Sequence, residues 1–141
     1  MPAPIVIHAT AVSYKGRGVL ITGEAGTGKS TLGLQLLQMG CDLVADDRVN
    51  LTQFGDQIIA SSPEAISGMI EARGVGILRA TTTPGASVVL VVDLDRTETE
   101  RLPPDRALRM FDVNIPLIRR VEGIHFPFAV MQYLREGKAE V

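Results

Sequence analysis

The sequence predicts an α/β fold, a sheet with flanking helices and a glycine-rich P-loop. Three observations predict it. The glycine-rich segment Gly23–Ser30 follows the apolar run Val19–Ile21 and precedes a helical stretch, Thr31–Met39. Short apolar runs separated by turn signals recur along the chain. Aromatic residues make up only 4% of the sequence and tryptophan is absent, so aliphatic side chains must form the core. That composition suits a sheet covered by helices.

The first elements form a predicted β-hairpin that leads into the glycine-rich segment. Ile5–Ser13 is rich in β-branched residues, Tyr14–Gly18 is a turn signal, and Val19–Thr22 resumes the strand pattern. Thr31–Met39 places leucines on one side of a helix, and Gly40 is well placed to end it.

The remaining elements follow from shorter signals. Strands are predicted at Asp42–Ala45, Val49–Gln53, Gln57–Ala60 and Ser87–Asp93. A helix is predicted from Ser61, with Glu64 three residues on, to about Ile70, because this spacing is typical of a capped N-terminus. A polar loop is expected at Arg96–Pro104 and a terminal helix at Phe128–Arg135. Residues 1–141 are expected to form one domain.

Composition excludes several classes of function. A net charge of −2 argues against a general nucleic-acid-binding face. The longest strongly apolar run, Val88–Val92, is far too short to span a bilayer, so no membrane partner is expected. Cys41 is the single cysteine, and Met1–Pro4 lacks the basic start of an export signal. The sequence therefore predicts a cytoplasmic protein.

The segment Gly23–Ser30 is a complete G-x-x-x-x-G-K-S phosphate loop. Its backbone N–H groups would face phosphate oxygens, and the following helix would point its positive end at the same anion. Lys29 would reach the β- and γ-phosphates and the Ser30 hydroxyl would hold Mg²⁺. The expected nucleotide-binding residues of the loop are Gly23, Glu24, Ala25, Gly26, Thr27, Gly28, Lys29 and Ser30.

Two places could supply the acidic partner that phosphoryl transfer requires. Val88–Val92 followed by Asp93 is typical of a generic Walker B strand. Leu43–Ala45 instead delivers two adjacent carboxylates, Asp46 and Asp47. Because neighbouring strand side chains point to opposite faces, we expect only one of this pair to face the phosphates directly.

A further signal is Glu71–Ile77, which holds a carboxylate, a guanidinium and two glycines. Glu71 could serve a metal and Arg73 a phosphate, and the glycines would allow a ligand to approach the backbone. The alternative is an ordinary helix C-terminus with its glycine cap and a surface ion pair.

Together these elements resemble the catalytic domain of bacterial HPr kinase/phosphorylase, which phosphorylates a serine of the phosphocarrier protein HPr. The resemblance rests on His8, Gly23–Ser30, Leu43–Val49 and Glu71–Ile77, the last being similar to the family's Glu-Ile-Arg-Gly-Leu-Gly-Ile. It covers residues 5–80 well and the remainder weakly.

The resemblance implies a role for each matching residue. Asp47 would accept the proton of the acceptor serine, and would return it in the reverse, phosphorolytic reaction. Lys29 would contact the transferring phosphate, while Ser30 and Glu71 would hold Mg²⁺. Aspartate is a weak base, but in a loose transition state the hydroxyl proton leaves late, so orientation matters more than basicity.

The resemblance also implies two further catalytic residues and the wider setting. His8 would lie in the active site near the phosphates, and Arg101 would stand at the arginine of the family's Asp-Arg-Leu-Gly. ATP and Mg²⁺ would be required, and HPr would be the protein substrate. The enzyme would regulate carbon metabolism through the sugar phosphotransferase system and assemble as a homo-oligomer, a hexamer by resemblance.

Two departures limit what the resemblance implies. The chain begins almost at the catalytic domain, so it is similar to a short form without the N-terminal domain. The family's Pro-Val-Arg-Pro-Gly-Arg, associated with dephosphorylation, has no match in Leu117–Phe126. We therefore expect a kinase and leave phosphorylase activity open. The alternatives are a small-molecule P-loop kinase or NTPase using Asp93, and a nucleotide-sensing regulator without turnover.

Overall fold

The structure is a computed structural model that describes residues 3–63 and 68–141. Within these residues the chain forms eleven strands and two helices. In order they are β1 (Ile5–Ile7), β2 (Thr10–Tyr14), β3 (Arg17–Thr22), α1 (Lys29–Gln38), β4 (Asp42–Ala45), β5 (Val49–Phe54), β6 (Gln57–Ser61), β7 (Met69–Ala72), β8 (Gly76–Arg79), β9 (Gly85–Thr97), β10 (Arg106–Met110), β11 (Val113–Arg120) and α2 (Phe126–Glu136).

A large curled sheet is organised around the long strand β9. Strands β3 and β11 run parallel to β9, whereas β6 pairs with it in the antiparallel direction. The main path of the sheet is β1-β5-β6-β9-β3-β2-β4, with β10 added to β11. Because parallel strands end at the same edge, the carboxyl ends of β3, β9 and β11 meet there. This edge carries the phosphate loop.

The two faces of the sheet bury separate apolar clusters. On the face covered by α1 and α2, the core includes Leu36, Leu90, Val92 and Val130. The opposite face buries Val91 with residues of the curled β5 and β6 strands. Neighbouring residues of β9 therefore alternate between the two clusters, as expected of a strand buried on both sides. None of the helices in the described residues is long and apolar enough to cross a membrane.

The predicted α/β class and the hairpin that leads into the phosphate loop are confirmed. Strands β2 and β3 pair antiparallel from Thr10↔Ile21 to Tyr14↔Arg17. The segment Ile5–Ser13 is nevertheless two strands, since β1 leaves the hairpin and pairs with β5. Helices α1 and α2 each begin two residues before their predicted starts.

The helix predicted from Ser61 to Ile70 is wrong at both of its ends. Ser61 closes strand β6, and Met69–Ala72 forms strand β7. Glu64 and the rest of residues 64–67 lie outside the described residues. Strand β7 forms because it pairs antiparallel with β8, while Ile70 is buried in the cluster beneath α1. Pairing with β8 thus decides the conformation of Met69–Ala72.

The second half of the chain contains more strand than the sequence predicts. Strand β9 continues to Thr97, four residues beyond its expected end and into the expected polar loop. The sequence does not predict the hairpin of β10 and β11, because polar and apolar residues do not alternate cleanly along it. Strand β11 is largely half-buried along its length, so its residues do not show the alternation of a strand with one exposed face.

Candidate active site at the phosphate loop

The phosphate loop reaches α1 through a glycine in the left-handed conformation. Gly28 has φ 98° and ψ 23°, which favours glycine, and no side chain caps the helix N-terminus. The first turn of α1 contains no acidic residue, so its positive end is available to an anion. Lys29 Nζ donates to the carbonyls of Gly23 at 2.6 Å and Glu24 at 3.1 Å. The ammonium group thus lies against the loop that would carry the phosphates.

Asp46 is the centre of a hydrogen-bond network that joins three elements. Its Oδ1 accepts from Thr10 Oγ1 and from Ser30 Oγ, both at 2.8 Å. Its Oδ2 accepts from the backbone N of Glu71 at 3.1 Å. Strand β2, helix α1 and the β7–β8 hairpin are therefore tied to one carboxylate. Sequence analysis gave Asp46 no separate role, although alternation had indicated that only one aspartate of the pair faces the loop.

Asp47 has a different environment from its neighbour. Its backbone has φ 71°, uncommon for a residue other than glycine, and its side chain is 76% exposed. His8 Nδ1 lies 3.6 Å from Asp47 Oδ1 and is equally exposed. The backbone is fixed by a hydrogen bond from Ala9 N to Asp47 O. The structure thus places His8 and Asp47 together on an open side of the site.

Glu71 and Arg73 lie on a β-hairpin, not at a helix end. Glu71 belongs to β7 and Arg73 to the turn before β8, and both are exposed. The alternative interpretation of this segment as a capped helix C-terminus is therefore wrong. Glu71 reaches the site through its backbone bond to Asp46, whereas Arg73 makes no hydrogen bond or ion pair within the described residues.

The oxygen donors around Ser30 fit Mg²⁺. A hydroxyl and the Asp46 carboxylate are hard ligands of the kind that Mg²⁺ prefers, and Glu71 contacts the same carboxylate through its backbone N. The described residues contain no group of three or more His, Cys, Asp or Glu side chains arranged for a metal. In proteins Mg²⁺ usually keeps several waters and is held by one or two carboxylates together with substrate phosphates.

Asp93 supports the loop from the other face of the sheet. Val92 and Leu94 both belong to the cluster on the helix-covered face, so Asp93 between them faces away from α1. Its Oδ1 accepts from Asp95 N at 2.9 Å, and Asp95 Oδ1 accepts from Glu24 N, also at 2.9 Å. Asp93 therefore steadies the start of the loop, opposite the side that holds Ser30.

Arg101 is not joined to this site. It is exposed in the segment between β9 and β10, and no hydrogen bond or ion pair links it to the phosphate loop in the described part of the chain. Arg120, which sequence reasoning missed, does contact the loop. Its guanidinium donates to Thr27 O and, at 3.1 Å from Nε, to Leu94 O. Its position at the end of β11, next to the end of β9, was the signal available.

The sequence of this chain matches a known protein family. The model of the HPr Serine kinase C-terminal domain family matches residues 2–119, most of the chain. The chain belongs to this family. Its relatives include the HPr kinase/phosphorylase of Clostridium tetani, 45% identical over 84 residues, which are 60% of this chain and 28% of that protein. The Brevibacillus brevis HPr kinase/phosphorylase is 41% identical over 125 residues, covering 79% of this chain and 40% of that protein.

A solved structure extends the comparison to the fold. The structure of the Hpr(Ser) kinase/phosphatase from Coxiella burnetii matches with a TM-score of 0.77 and 29% sequence identity. The match covers 93% of this chain and 94% of that one. The chain spans less than half the length of the curated family members named above. The phosphate loop, Asp46, Asp47 and the β7–β8 hairpin all lie within the residues that match the family.

Proposed function

We propose that this chain transfers the γ-phosphate of ATP to a serine of HPr, the protein after which its relatives are named, in a Mg²⁺-dependent reaction. The observation that carries the proposal is the difference in contacts and exposure between two adjacent carboxylates. Asp46 is bonded to Ser30 and faces the loop, while Asp47 is exposed beside His8. We assign the first carboxylate to the metal side of the reaction and the second to an acceptor arriving from solvent.

The chain's own residues would hold the donor in place. Backbone N–H groups of Gly23–Ser30 and the N-terminus of α1 bind the phosphates, and Lys29 exchanges its contacts with the loop carbonyls for phosphate oxygens. Arg73, at the hairpin turn, adds a second cation on the acceptor side. Ser30, Asp46 and Glu71 would hold Mg²⁺. When bound, this ion neutralises charge on the phosphate oxygens.

The acceptor serine would approach from the exposed side of Asp47. Its Oγ forms a bond to the γ-phosphorus as the bond from that phosphorus to the β,γ-bridging oxygen breaks, releasing ADP. Asp47 takes the hydroxyl proton, and His8 orients the Asp47 carboxylate from 3.6 Å. Arg101 would reach the site only after the protein substrate has bound.

The test is incubation of the purified chain with ATP, Mg²⁺ and HPr, followed by mass spectrometry of HPr. We expect one added phosphoryl group on a serine, and no transfer when Mg²⁺ is chelated. HPr that remains unmodified while the chain binds ATP would overturn the proposal and favour a nucleotide-sensing regulator. Addition of inorganic phosphate to the phosphorylated product tests the reverse reaction, for which we expect little activity because Leu117–Phe126 lacks the family's arginine-rich motif.

The small-molecule kinase alternative makes a different prediction for Asp93. We expect Asp93→Ala to lower the transfer rate less than about tenfold, because this carboxylate supports the loop through Asp95 instead of facing Ser30. Initial rates of HPr phosphorylation by the variant and by Asp47→Ala decide the matter. A greater loss in Asp93→Ala than in Asp47→Ala would favour a metal-side role for Asp93.

The wider setting is part of the same proposal. Cys41 is a free, buried thiol, and burial raises its pKa to about 11, which suits a reduced residue in the cytoplasm. Homo-oligomer formation is supported by exposed apolar side chains on the β7–β8 hairpin, Met69, Val75 and Ile77. Sedimentation analysis of the wild type and of Ile77→Ser would test assembly.

A further inference from the structure

A cleft opens beside the phosphate loop, between α1 and the segment that joins β11 to α2. Its volume is about 370 Å³, within the range of small-molecule sites. Thr27 and Gly28 of the loop, Thr31 and Gln35 of α1, and residues 120–124 line it, together with Leu94. Its walls are both polar and apolar. The proposed reaction assigns no role to this space.

The position of the cleft relative to the loop indicates which end of a nucleotide it faces. Thr27, Gly28 and Thr31 line it, whereas Lys29, Ser30 and Asp47, all described residues, do not. In phosphate loops the lysine reaches the β- and γ-phosphates, and the loop amides cradle the α- and β-phosphates. The terminal phosphate and the acceptor therefore belong on the Lys29 and Asp47 side. The α-phosphate end would emerge toward the cleft.

We propose that this cleft binds the base and ribose of the nucleoside triphosphate, an inference that rests on the proposed function. Ile124 is 92% exposed at the cleft, an apolar side chain that a flat base would cover. Leu94 provides a second apolar contact at the floor. Gln35 and Glu122 line the same space and offer an amide and a carboxylate to the hydroxyl groups of a ribose.

Arg120 links the loop to the floor of the cleft. Its guanidinium donates to Thr27 O in the loop and to Leu94 O, near the end of β9. The residues that follow it, 121–124, form the far wall and lie beyond the segment that matches the family model. Some of the proposed nucleoside contacts therefore lie outside the segment that the family model matches.

The first test compares ligands with and without a nucleoside. Isothermal titration calorimetry in Mg²⁺ would measure binding of ATP and of inorganic tripolyphosphate to the wild type, Ile124→Ser and Leu102→Ser, the last being an exposed apolar control outside the cleft. We expect Ile124→Ser to weaken ATP binding about fivefold and to leave tripolyphosphate within about twofold, because only the base loses an apolar contact. Leu102→Ser should change neither.

The outcomes separate the two proposals. An equal change for ATP and tripolyphosphate in Ile124→Ser, or no change for either, would overturn the nucleoside site while leaving the phosphate site intact. Lys29→Ala should lose binding of both ligands. If Lys29→Ala binds both as the wild type does, the proposed function itself fails.

A second test uses the absence of tryptophan from the chain. In Ile124→Trp the single indole would report on the cleft, and in Phe54→Trp it would report on an exposed position in strand β5. We expect saturating ATP to change the emission of Ile124→Trp and tripolyphosphate to leave it unchanged, with no response from Phe54→Trp. An identical response of Ile124→Trp to the two ligands, or no response to ATP that calorimetry shows to be bound, would contradict the proposal.

Discussion

Asp46 and Asp47 are neighbours in sequence, yet their side chains have opposite environments. Asp46 accepts three hydrogen bonds from three different elements, whereas Asp47 is 76% exposed and lies beside a single histidine. The left-handed backbone at Asp47 turns its side chain away from the network that holds Asp46. The difference teaches that a strand end can hold one carboxylate in a hydrogen-bond network and leave the next open to solvent. If the proposed metal side at Asp46 and acceptor side at Asp47 are separate, changes to the two carboxylates should have different effects.

The largest expected effect is on the acceptor side. Asp47→Asn should lower phosphoryl transfer to HPr by about 100-fold or more, because proton transfer by a positioned side chain contributes about 10²–10⁴. Asparagine tolerates the left-handed conformation at this position, so the change removes charge without adding backbone strain. Initial rates and calorimetric ATP affinity are the measurements. The exposed Asp56→Asn is the matched control and should behave as the wild type; an equally active Asp47→Asn would refute the proton-acceptor role.

The metal side should respond less strongly and in a different way. Asp46→Asn keeps the side-chain shape but weakens the hold on Ser30 and on a cation, so we expect the rate to fall about tenfold to 100-fold, with a higher Mg²⁺ requirement. Rates measured across a Mg²⁺ titration would show this. Loss of activity that no Mg²⁺ concentration relieves even in part would point to a structural role for Asp46.

A third change tests the packing that positions Asp46. A Cβ at Gly33 would lie 2.7 Å from Thr10 Cγ2, and the Thr10 hydroxyl is one of the donors to Asp46. Gly33→Ala should therefore destabilise the fold by about 1–3 kcal/mol and lower activity, as overpacking generally does. Thr10→Ser removes the methyl group and keeps the hydroxyl, so the double variant should recover most of the loss. Urea denaturation measures each variant; a Gly33→Ala protein as stable as the wild type would contradict the close approach.

Features of the fold and the site could be predicted from the sequence where the residues that determine them are close together in the chain. The glycines and Lys29-Ser30 are local signals, so the sequence predicts the loop and the helix that follows it. The Asp46 network joins residues from positions 10 to 71, and no periodicity predicts which of two adjacent carboxylates meets them. The sequence leaves a helix end open as an alternative at Glu71–Arg73, because no local signal predicts that β7 pairs with β8. Arg120 was missed because its partners, Thr27 and Leu94, are distant in sequence.

The smallest expected effect lies away from both carboxylates. Glu98 is 6% exposed, and hydrogen bonds from Arg106 hold the pKa of its carboxyl below its usual value. Because the folded-state pKa is the lower one, this pair stabilises the fold above the unfolded pKa of about 4.3 and loses that contribution as pH falls through the folded value. Glu98→Gln should lower the melting temperature at pH 7, and the difference should shrink below about pH 4. A difference that grows as the pH falls would have the wrong sign. Phosphoryl transfer should be unchanged within about twofold, since this pair touches neither aspartate.

The separation of the two sides is tested most directly by the effect of Mg²⁺ on ADP affinity. Calorimetry with and without Mg²⁺ would compare the wild type, Asp46→Asn and Asp47→Asn. We predict that Mg²⁺ strengthens ADP binding to the wild type and to Asp47→Asn by the same factor, and that this factor falls about tenfold or more in Asp46→Asn. Equal loss of the Mg²⁺ effect in both variants, or its loss in Asp47→Asn alone, would contradict the assignment of one carboxylate to the metal and the other to the acceptor.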